Sequence, residues 1–235
     1  GPPYFNQLIF PLLIPFLLIM ALGTKLEWIK SKKFGTKLKE IFILILSILI
    51  SYLIVKHLNS KILYLTVLIS SALYLFFISI IDLNNKKLKV SQKISHLAFS
   101  ILIISIIFNG IFSKEFSVNL KIGEEKQLLD YNIKFEKISK KEIDNYTSLK
   151  AEILIKENNK QLEFYPELRL YKIPETITSE ADIKTNLFSD NLVVVNYLKD
   201  SDYLNIRYQK KPFMLIIWFS VIMLGVGGIL GLRKI

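Results

Sequence analysis

The chain has two histidines and no cysteine, so any metal chemistry rests on very few side chains. His96 is the more informative histidine. It lies in the stretch "SQKISHLAFSILIISIIF", at the entrance to an almost unbroken apolar run that begins at Leu97. Polar side chains at membrane depth are costly and usually face a protein interior or a functional site. His96 is therefore the first candidate for a binding residue.

The helical neighbours of His96 narrow its chemistry. The same face of an α-helix would carry Gln92, Ser100 and Ile103, and no acidic residue falls within two turns on that face. A neutral imidazole fits these surroundings better than a charged one, and its nitrogen lone pair is what iron takes from an axial ligand. A histidine that simply meets lipid or water at the head-group boundary fits the same pattern. The residues alone leave both interpretations open.

Other chemistry has little support in the sequence. His57 lies beside Lys56 and Asn59 at the edge of another apolar run, where a boundary role is favoured. The chain contains no P-loop, GxSxG, HExxH or glycine-rich dinucleotide motif. Carboxylates between residues 114 and 211 alternate with lysines, as on a solvated surface. No catalytic residue is predicted.

Long apolar segments must position His96. The chain is 51% hydrophobic over 235 residues, and several runs are long enough to cross a hydrocarbon core of roughly 30 Å. The predicted spans are Leu8–Gly23, Ile41–Val55, Ile62–Ile81, Ile94–Phe112 and Phe213–Leu232. In the last span, Gly227 and Gly231 form a small-xxx-small pattern that predicts close helix packing.

The distribution of charge predicts the topology. The net charge is +11, yet residues 114–211 contain 17 basic and 17 acidic residues. Most of the basic excess lies in loops 25–40 and 82–93 and at Arg233–Lys234, whereas the loop between the second and third spans has only Lys56 and Lys61. The positive-inside rule therefore places the first three segments inside. Residues 114–211 then lie outside the cytoplasm or mitochondrial matrix. Because topology explains the excess of basic residues, binding to nucleic acid is not predicted.

Residues 114–211 have a different pattern from the spans. Apolar residues alternate in "FSVNLKI", "YNIKFEKI", "LKAEILIKENNKQLEFY", "NLVVVNYL" and "YLNIRYQ". This alternation predicts five to seven short strands in a β-sandwich or barrel, with a hairpin turn at "ENNK". The predicted fold class is a multi-span α-helical membrane protein with one all-β domain before the last helix. The predicted domains are a four-helix region (1–113), the β domain (114–211) and a final helix with a short tail (212–235).

Several collinear strings resemble the C-terminal part of the CcmF-type cytochrome c haem lyase family. They are "GPPYFN" before a proline-containing span, "HLAFSILIISI", "YPELRLY", "ITSEADI", "NIRYQKKPFMLIIW" and the glycine-rich end followed by "LRK". The resemblance covers essentially the whole chain. It implies that the chain is a fragment or a split-gene product and needs an N-terminal counterpart for activity.

The resemblance also implies a function. Members of this family attach haem covalently to apocytochrome c outside the membrane and hold a separate b-type haem between two transmembrane histidines. His96 matches one of these axial ligands, whereas the second ligand belongs to the N-terminal part of the family. The implied partners are that N-terminal part, a haem chaperone, apocytochrome c with its thiol-handling partner, and membrane lipid.

The same resemblance implies a location for the protein. The implied location is the bacterial inner membrane with the β domain in the periplasm, or the mitochondrial inner membrane with the β domain in the intermembrane space. Arg169 and Arg207 are candidates for contact with a partner, but ordinary surface ion pairs are favoured for both. The alternative function is a non-catalytic scaffold or transporter subunit that presents the β domain to a partner.

Overall fold

The computed structural model describes residues 2–23, 38–58, 62–157, 160–198 and 202–232. These residues form two compact units. One comprises Gly1–Gly110 with Leu215–Ile235, and the other comprises Ile111–Met214. Most of the predicted inner loop 25–40 and the terminal Arg233–Lys234 lie outside the described residues.

The described helices are α1 (Pro2–Gly23), α2 (Leu38–His57), α3 (Ile62–Asp82), α4 (Val90–Phe112) and α5 (Met214–Leu232). Within the described residues, α2 to α5 are each long and apolar enough to cross a membrane, and the apolar segment Pro11–Gly23 of α1 is shorter. The helices precede and follow a β domain as predicted. The predicted fold class, a multi-span membrane protein with a β domain before the last helix, is confirmed.

Serines within the helices bond to the backbone of their own helix. Ser79 Oγ donates to the Leu75 carbonyl at 2.7 Å, Ser100 Oγ to the Leu97 carbonyl at 2.7 Å, and Ser220 Oγ to the Ile216 carbonyl at 2.7 Å. Hydrocarbon offers no water to a hydroxyl, so such a bond lets a small polar residue lie inside an apolar helix. Small residues in turn let neighbouring helices approach closely.

Helix α3 is the packing centre of the helical unit, since both α1 and α2 pack against it. Leu68, Ala72 and Leu75 of α3 are fully buried or nearly so. Helix α4 contacts α1 through an edge-to-face pair of Phe16 and Phe99, whose ring centroids lie 5.8 Å apart. These contacts fix the helix that carries His96.

The β domain contains ten strands within the described residues, all paired antiparallel. They are β1 (Lys114–Leu120), β2 (Glu125–Leu128), β3 (Tyr131–Ile143), β4 (Tyr146–Glu157), β5 (Lys160–Phe164), β6 (Glu167–Lys172), β7 (Glu175–Glu180), β8 (Asp182–Thr185), β9 (Ser189–Tyr197) and β10 (Leu204–Pro212). One sheet has the order β1-β10-β9-β8. The other has the order β2-β3-β4-β6-β7, and β5 also pairs with β4.

The inward faces of the two sheets form one core. Alternate residues of β9 and β10 are buried, among them Val193, Val195 and Ile206. An aromatic cluster closes one end of this core. The ring of Phe116 lies 5.0 Å from the rings of both Tyr131 and Tyr208. The core accounts for the alternation seen in the sequence.

The number of strands differs from the prediction of five to seven. The alternating runs correspond to β1, β3, β4, β5, β9 and β10, whereas alternation missed β2, β7 and β8, and only the family resemblance indicated β6. The missed β2, β7 and β8 have four to six residues and no buried side chain, so they lack a clear period of two. Asn158 and Asn159 of the predicted "ENNK" turn lie outside the described residues, and β4 and β5 on either side pair as a hairpin.

Candidate functional site

His96 lies in the second turn of α4 and is half-buried. The turn before α4 is fixed by local hydrogen bonds. Leu88 N donates to the Asn85 carbonyl at 3.3 Å, and Lys93 Nζ reaches back to the Leu83 carbonyl at 2.9 Å. The short connection joins α3 and α4, so the start of α4 lies near the end of α3. His96 therefore has a fixed position close to this turn.

Asp82, the last residue of α3, is the charged group that bears on His96. Its side chain is buried, with 3% of the residue exposed, and it interacts electrostatically with His96. No acidic residue lies within two turns of His96 on its own face of α4, as the sequence indicates, so the interaction with Asp82 arises only in the folded chain. Asp82 comes from the neighbouring helix. Its position as the lone acid in the 82–93 connection is the signal that could have identified it.

A close contact with α5 fixes the face of α4 next to His96. A Cβ atom built on Gly227 would overlap Ser95 Oγ and would lie 3.1 Å from Ser95 N and 3.3 Å from the Ser91 carbonyl. Any larger residue at this position would therefore require α4 or the side chain of Ser95 to shift. One built on Gly231 would lie 3.7 Å from Ser91 Cβ. The predicted small-residue packing is confirmed, and it lies one residue away from His96.

His57 cannot share a metal with His96. It ends α2, on the far side of the connection that leads into α3, whereas His96 follows the opposite end of α3. Helix α3 has 21 residues and spans about 30 Å at 1.5 Å per residue. Among the residues that the structure describes, no group of three or more His, Asp or Glu side chains could hold a metal ion.

The β domain contains a cleft of about 750 Å³ at the end of the core with the aromatic cluster. Its lining combines apolar residues such as Leu187 and Phe188 with the polar group Glu157, Lys210 and Tyr208. Lys210 Nζ donates to both carboxylate oxygens of Glu157, at 2.7 and 2.9 Å, and Tyr131 Oη donates to the same carboxylate at 2.7 Å. A partly buried charge pair thus closes one side of the cleft.

The charge pair sets the ionisation of its members. Burial opposes the charge on Glu157, but the hydrogen bonds from Lys210 and Tyr131 outweigh burial and lower the pKa of Glu157. Burial, and then the nearby carboxylate, raise the pKa of Tyr131 and of Tyr208 well above the ordinary tyrosine value. Both phenols are therefore neutral hydrogen-bond donors at physiological pH. The Glu157–Lys210 pair joins β4 of one sheet to β10 of the other.

Arg169 and Arg207 are both in surface ion pairs. Arg169 Nε lies 3.2 Å from Glu167 and its Nη1 lies 3.7 Å from Glu180, while Arg207 pairs with Glu115 across β1 and β10. These contacts agree with the favoured interpretation of ordinary surface pairs. Neither arginine lines the cleft.

Replacing Glu157 by glutamine is expected to destabilise the β domain by about 1–3 kcal/mol, because Lys210 stays partly buried without its charge partner. Hydrogen exchange in peptides from β4 and β10, measured on the full chain in detergent, reports this loss. The wild type should also lose this contribution as the pH falls through the lowered pKa of Glu157. Above the unfolded pKa the contribution is complete.

The matched control for this prediction is Glu142→Gln. Glu142 pairs with Lys140 at 3.5 Å on an exposed surface, so its loss should change stability by less than about 0.5 kcal/mol. Equal protection of β4 in the two variants would contradict the assigned role of the Glu157–Lys210 pair.

Comparison with known proteins identifies relatives for the whole chain. Residues 111–212 match the family model described as the CcmF C-terminal beta-sandwich. The cytochrome c-type biogenesis protein CcmF of Haemophilus influenzae is 24% identical over 249 residues, which cover 98% of this chain and 38% of the relative. CcmF of Escherichia coli K12 is 23% identical over 242 residues, which cover 98% of this chain and 37% of that protein.

A solved structure has the same fold over the whole length of this chain. The structure titled Cytochrome c Heme Lyase CcmF matches 100% of this chain and 41% of its own, with a TM-score of 0.78 and 15% sequence identity. The chain thus spans less than half the length of these relatives. The chain is similar over nearly its whole length to part of the CcmF-type cytochrome c biogenesis proteins, and its residues 111–212 match the CcmF C-terminal beta-sandwich model.

Proposed function

We propose that the chain acts in cytochrome c maturation as the C-terminal part of a haem lyase, and that His96 is one axial ligand of a membrane-embedded haem b. The observation that carries the proposal is the half-buried imidazole on α4, a helix apolar enough to span a membrane, in a chain that aligns with CcmF along its length. The proposed location is the bacterial inner membrane with the β domain in the periplasm, or the corresponding mitochondrial arrangement.

The residues around His96 fit one side of a haem. Ser100, one turn after His96 on the same face of α4, is a buried small residue, and the imidazole supplies a nitrogen ligand. Asp82 interacts electrostatically with His96, and a negative charge there would favour the ferric state of an iron held by His96. A bound haem would supply one-electron redox chemistry. The role of this chain is to hold one ligand and its charge environment on a fixed helix.

The second ligand, and the contacts with the haem chaperone and the apocytochrome, are proposed to involve an N-terminal counterpart. Deleting the gene for this chain and restoring it on a plasmid tests the proposal. Covalent haem in c-type cytochromes, detected by haem staining, should disappear and return with the plasmid. Normal maturation in the deletion strain would contradict the proposal.

A scaffold function would give a different result from a ligand function. If the β domain serves only to recruit a partner, cytochrome c maturation should still require the chain. The haem absorption spectrum of the assembled protein should then be unchanged when His96 is replaced. Measuring both maturation and haem content in one set of strains separates the two functions.

Topology has a direct test. A reporter enzyme that is active only outside the cytoplasm should be active when fused after Ser113, which precedes β1, and inactive when fused after Lys87, in the connection between α3 and α4. A cytoplasmic reporter should show the opposite pattern. Equal activity at the two sites would contradict the proposed orientation of the β domain.

Replacing Asp82 by asparagine is expected to raise the haem midpoint potential. Removing a negative charge near the proposed ligand destabilises the ferric state by on the order of 1 kcal/mol, which corresponds to about 40 mV for one electron. Redox titration of the assembled protein measures this shift. Asp144→Asn in the β domain is the control, and an equal potential in both variants would contradict the role of Asp82.

A further inference from the structure

Both connections between the β domain and the helices leave from the same end of one sheet. Helix α4 ends at Phe112 and β1 begins at Lys114, while β10 ends at Pro212 and α5 begins at Met214. Strands β1 and β10 are antiparallel neighbours, and Lys114 pairs with Lys210. We call this end of the domain the connecting end. Because α4 and α5 cross the membrane, the connecting end is tied to the bilayer surface at two adjacent points.

The turn between β8 and β9 lies at the connecting end. Ser189, the first residue of β9, pairs with Pro212, the last residue of β10. The backbone N–H of Phe213 then donates to the Phe188 carbonyl at 2.9 Å. Phe188 is therefore hydrogen-bonded to the residue immediately before α5. The turn is therefore adjacent, through this hydrogen bond, to the residue that precedes α5.

This turn is rigid and presents two large apolar side chains. Asn186 Oδ1 accepts hydrogen bonds from the backbone N–H groups of Phe188 at 2.8 Å and Ser189 at 2.9 Å. Leu187 and Phe188 are nevertheless 72% and 78% exposed. Single exposed apolar residues are common on proteins. Two adjacent exposed apolar residues on a hydrogen-bonded turn, next in the chain fold to the start of a membrane span, indicate a contact surface.

A second turn at the connecting end has the same character. Leu129, in the turn between β2 and β3, is 83% exposed. Tyr131 follows it and is joined through Glu157 to Lys210 of β10. Cationic side chains accompany these apolar tips, since Lys160 lines the cleft beside Leu187 and Phe188 and Lys114 begins β1 at the same end. Apolar tips flanked by lysines are the composition of protein surfaces that contact bilayer interfaces.

We propose that Leu187 and Phe188 insert into the interfacial region of the bilayer that α4 and α5 cross, so that lipid is a direct binding partner of the β domain. The insertion adds a third attachment beside the two covalent connections. Its effect is to restrict the tilt of the β domain relative to the membrane. Lipid is the occupant because the turn is hydrogen-bonded to the chain at the point where a membrane span starts. The inference depends on the fold class and is independent of haem binding.

The absence of cysteine from the chain makes the test simple. Single Leu187→Cys and Phe188→Cys variants of the full chain carry an environment-sensitive fluorophore in phosphatidylcholine nanodiscs. Quenching is measured with lipids that carry a nitroxide near the head group and with aqueous iodide. Val226→Cys on α5 is the control for lipid exposure. Ile173→Cys, in the β6–β7 turn at the other end of the domain and 93% exposed, is the control for water exposure.

The expected result is that labels at positions 187 and 188 are quenched by the nitroxide lipid nearly as strongly as Val226 and several-fold more than Ile173, with little iodide quenching. Quenching like that of Ile173 means that the turn lies in water and overturns the proposal. Protection from both quenchers means that protein covers the turn, which also overturns it. A Leu187→Ser/Phe188→Ser variant should leave the core intact yet lower lipid quenching of a label at Leu129.

Discussion

Replacing His96 by alanine in the chain assembled with its N-terminal counterpart is expected to abolish the low-spin b-type Soret band. A low-spin haem needs two strong axial ligands, and His96 is the side chain proposed to provide one of them, from the apolar helix α4. Haem affinity should fall by more than about 100-fold. Removing a group that is only hydrogen-bonded to a metal ligand already lowers metal affinity by about 10–100-fold, and removing the ligand itself should cost more. Absorption spectra and pyridine haemochrome assays of the purified assembly measure this change.

The matched control for His96 is the other histidine. His57→Ala should leave the spectrum unchanged, since His57 lies at the opposite end of α3 from His96. A His96→Gly variant supplied with imidazole should recover part of the band, which separates the loss of a ligand from the loss of the fold. A wild-type band in His96→Ala would contradict the ligand assignment.

The elements that the sequence predicted well are those with strong local signals. The spans were predictable because each helix is apolar over most of its length, and strands such as β9 because every second residue is buried. Gly227 was predictable as a packing residue because a small-xxx-small pattern has one common use in membrane helices. In each case, neighbouring residues along the chain contain the information.

The features that the sequence did not predict depend on contacts between distant segments. Asp82 affects His96 only because α3 and α4 are joined by a short connection. Glu157 and Lys210 pair across 53 positions of sequence, and nothing in either local pattern indicates a partner. Strand β8 is recognisable only from its pairing with β9, because its own side chains are largely exposed. The hydrophobic periodicity of a single segment does not indicate which distant segment it will contact.

These contacts connect the packing of the helices to the proposed ligand. Ser95, which precedes His96, is the residue that Gly227 approaches most closely. The imidazole position therefore depends on a close crossing of α4 and α5, which are far apart in sequence. A larger side chain at position 227 is expected to alter the site without touching the histidine.

Replacing Gly227 by leucine is expected to separate α4 from α5 and to destabilise the helical unit by about 1–3 kcal/mol, the usual cost of overpacking. A Cβ at this position already meets the backbone of Ser95 and Ser91, which cannot move aside as a side chain can. Haem content of the assembled protein should fall because the segment that carries His96 shifts. Gly228→Leu is the control, since a Cβ there meets nothing within 4 Å.

A disulfide gives a direct measure of the same crossing. The Cβ built on Gly231 lies 3.7 Å from Ser91 Cβ, within the range of about 3.5–4.5 Å found in disulfides. A Ser91→Cys/Gly231→Cys pair should therefore oxidise readily in a chain that has no other cysteine. Adding Gly228→Leu should leave the yield of this disulfide unchanged, whereas adding Gly227→Leu should lower it sharply. Equal yields in the two backgrounds would show that the helices cross elsewhere and that Gly227 does not fix the position of His96.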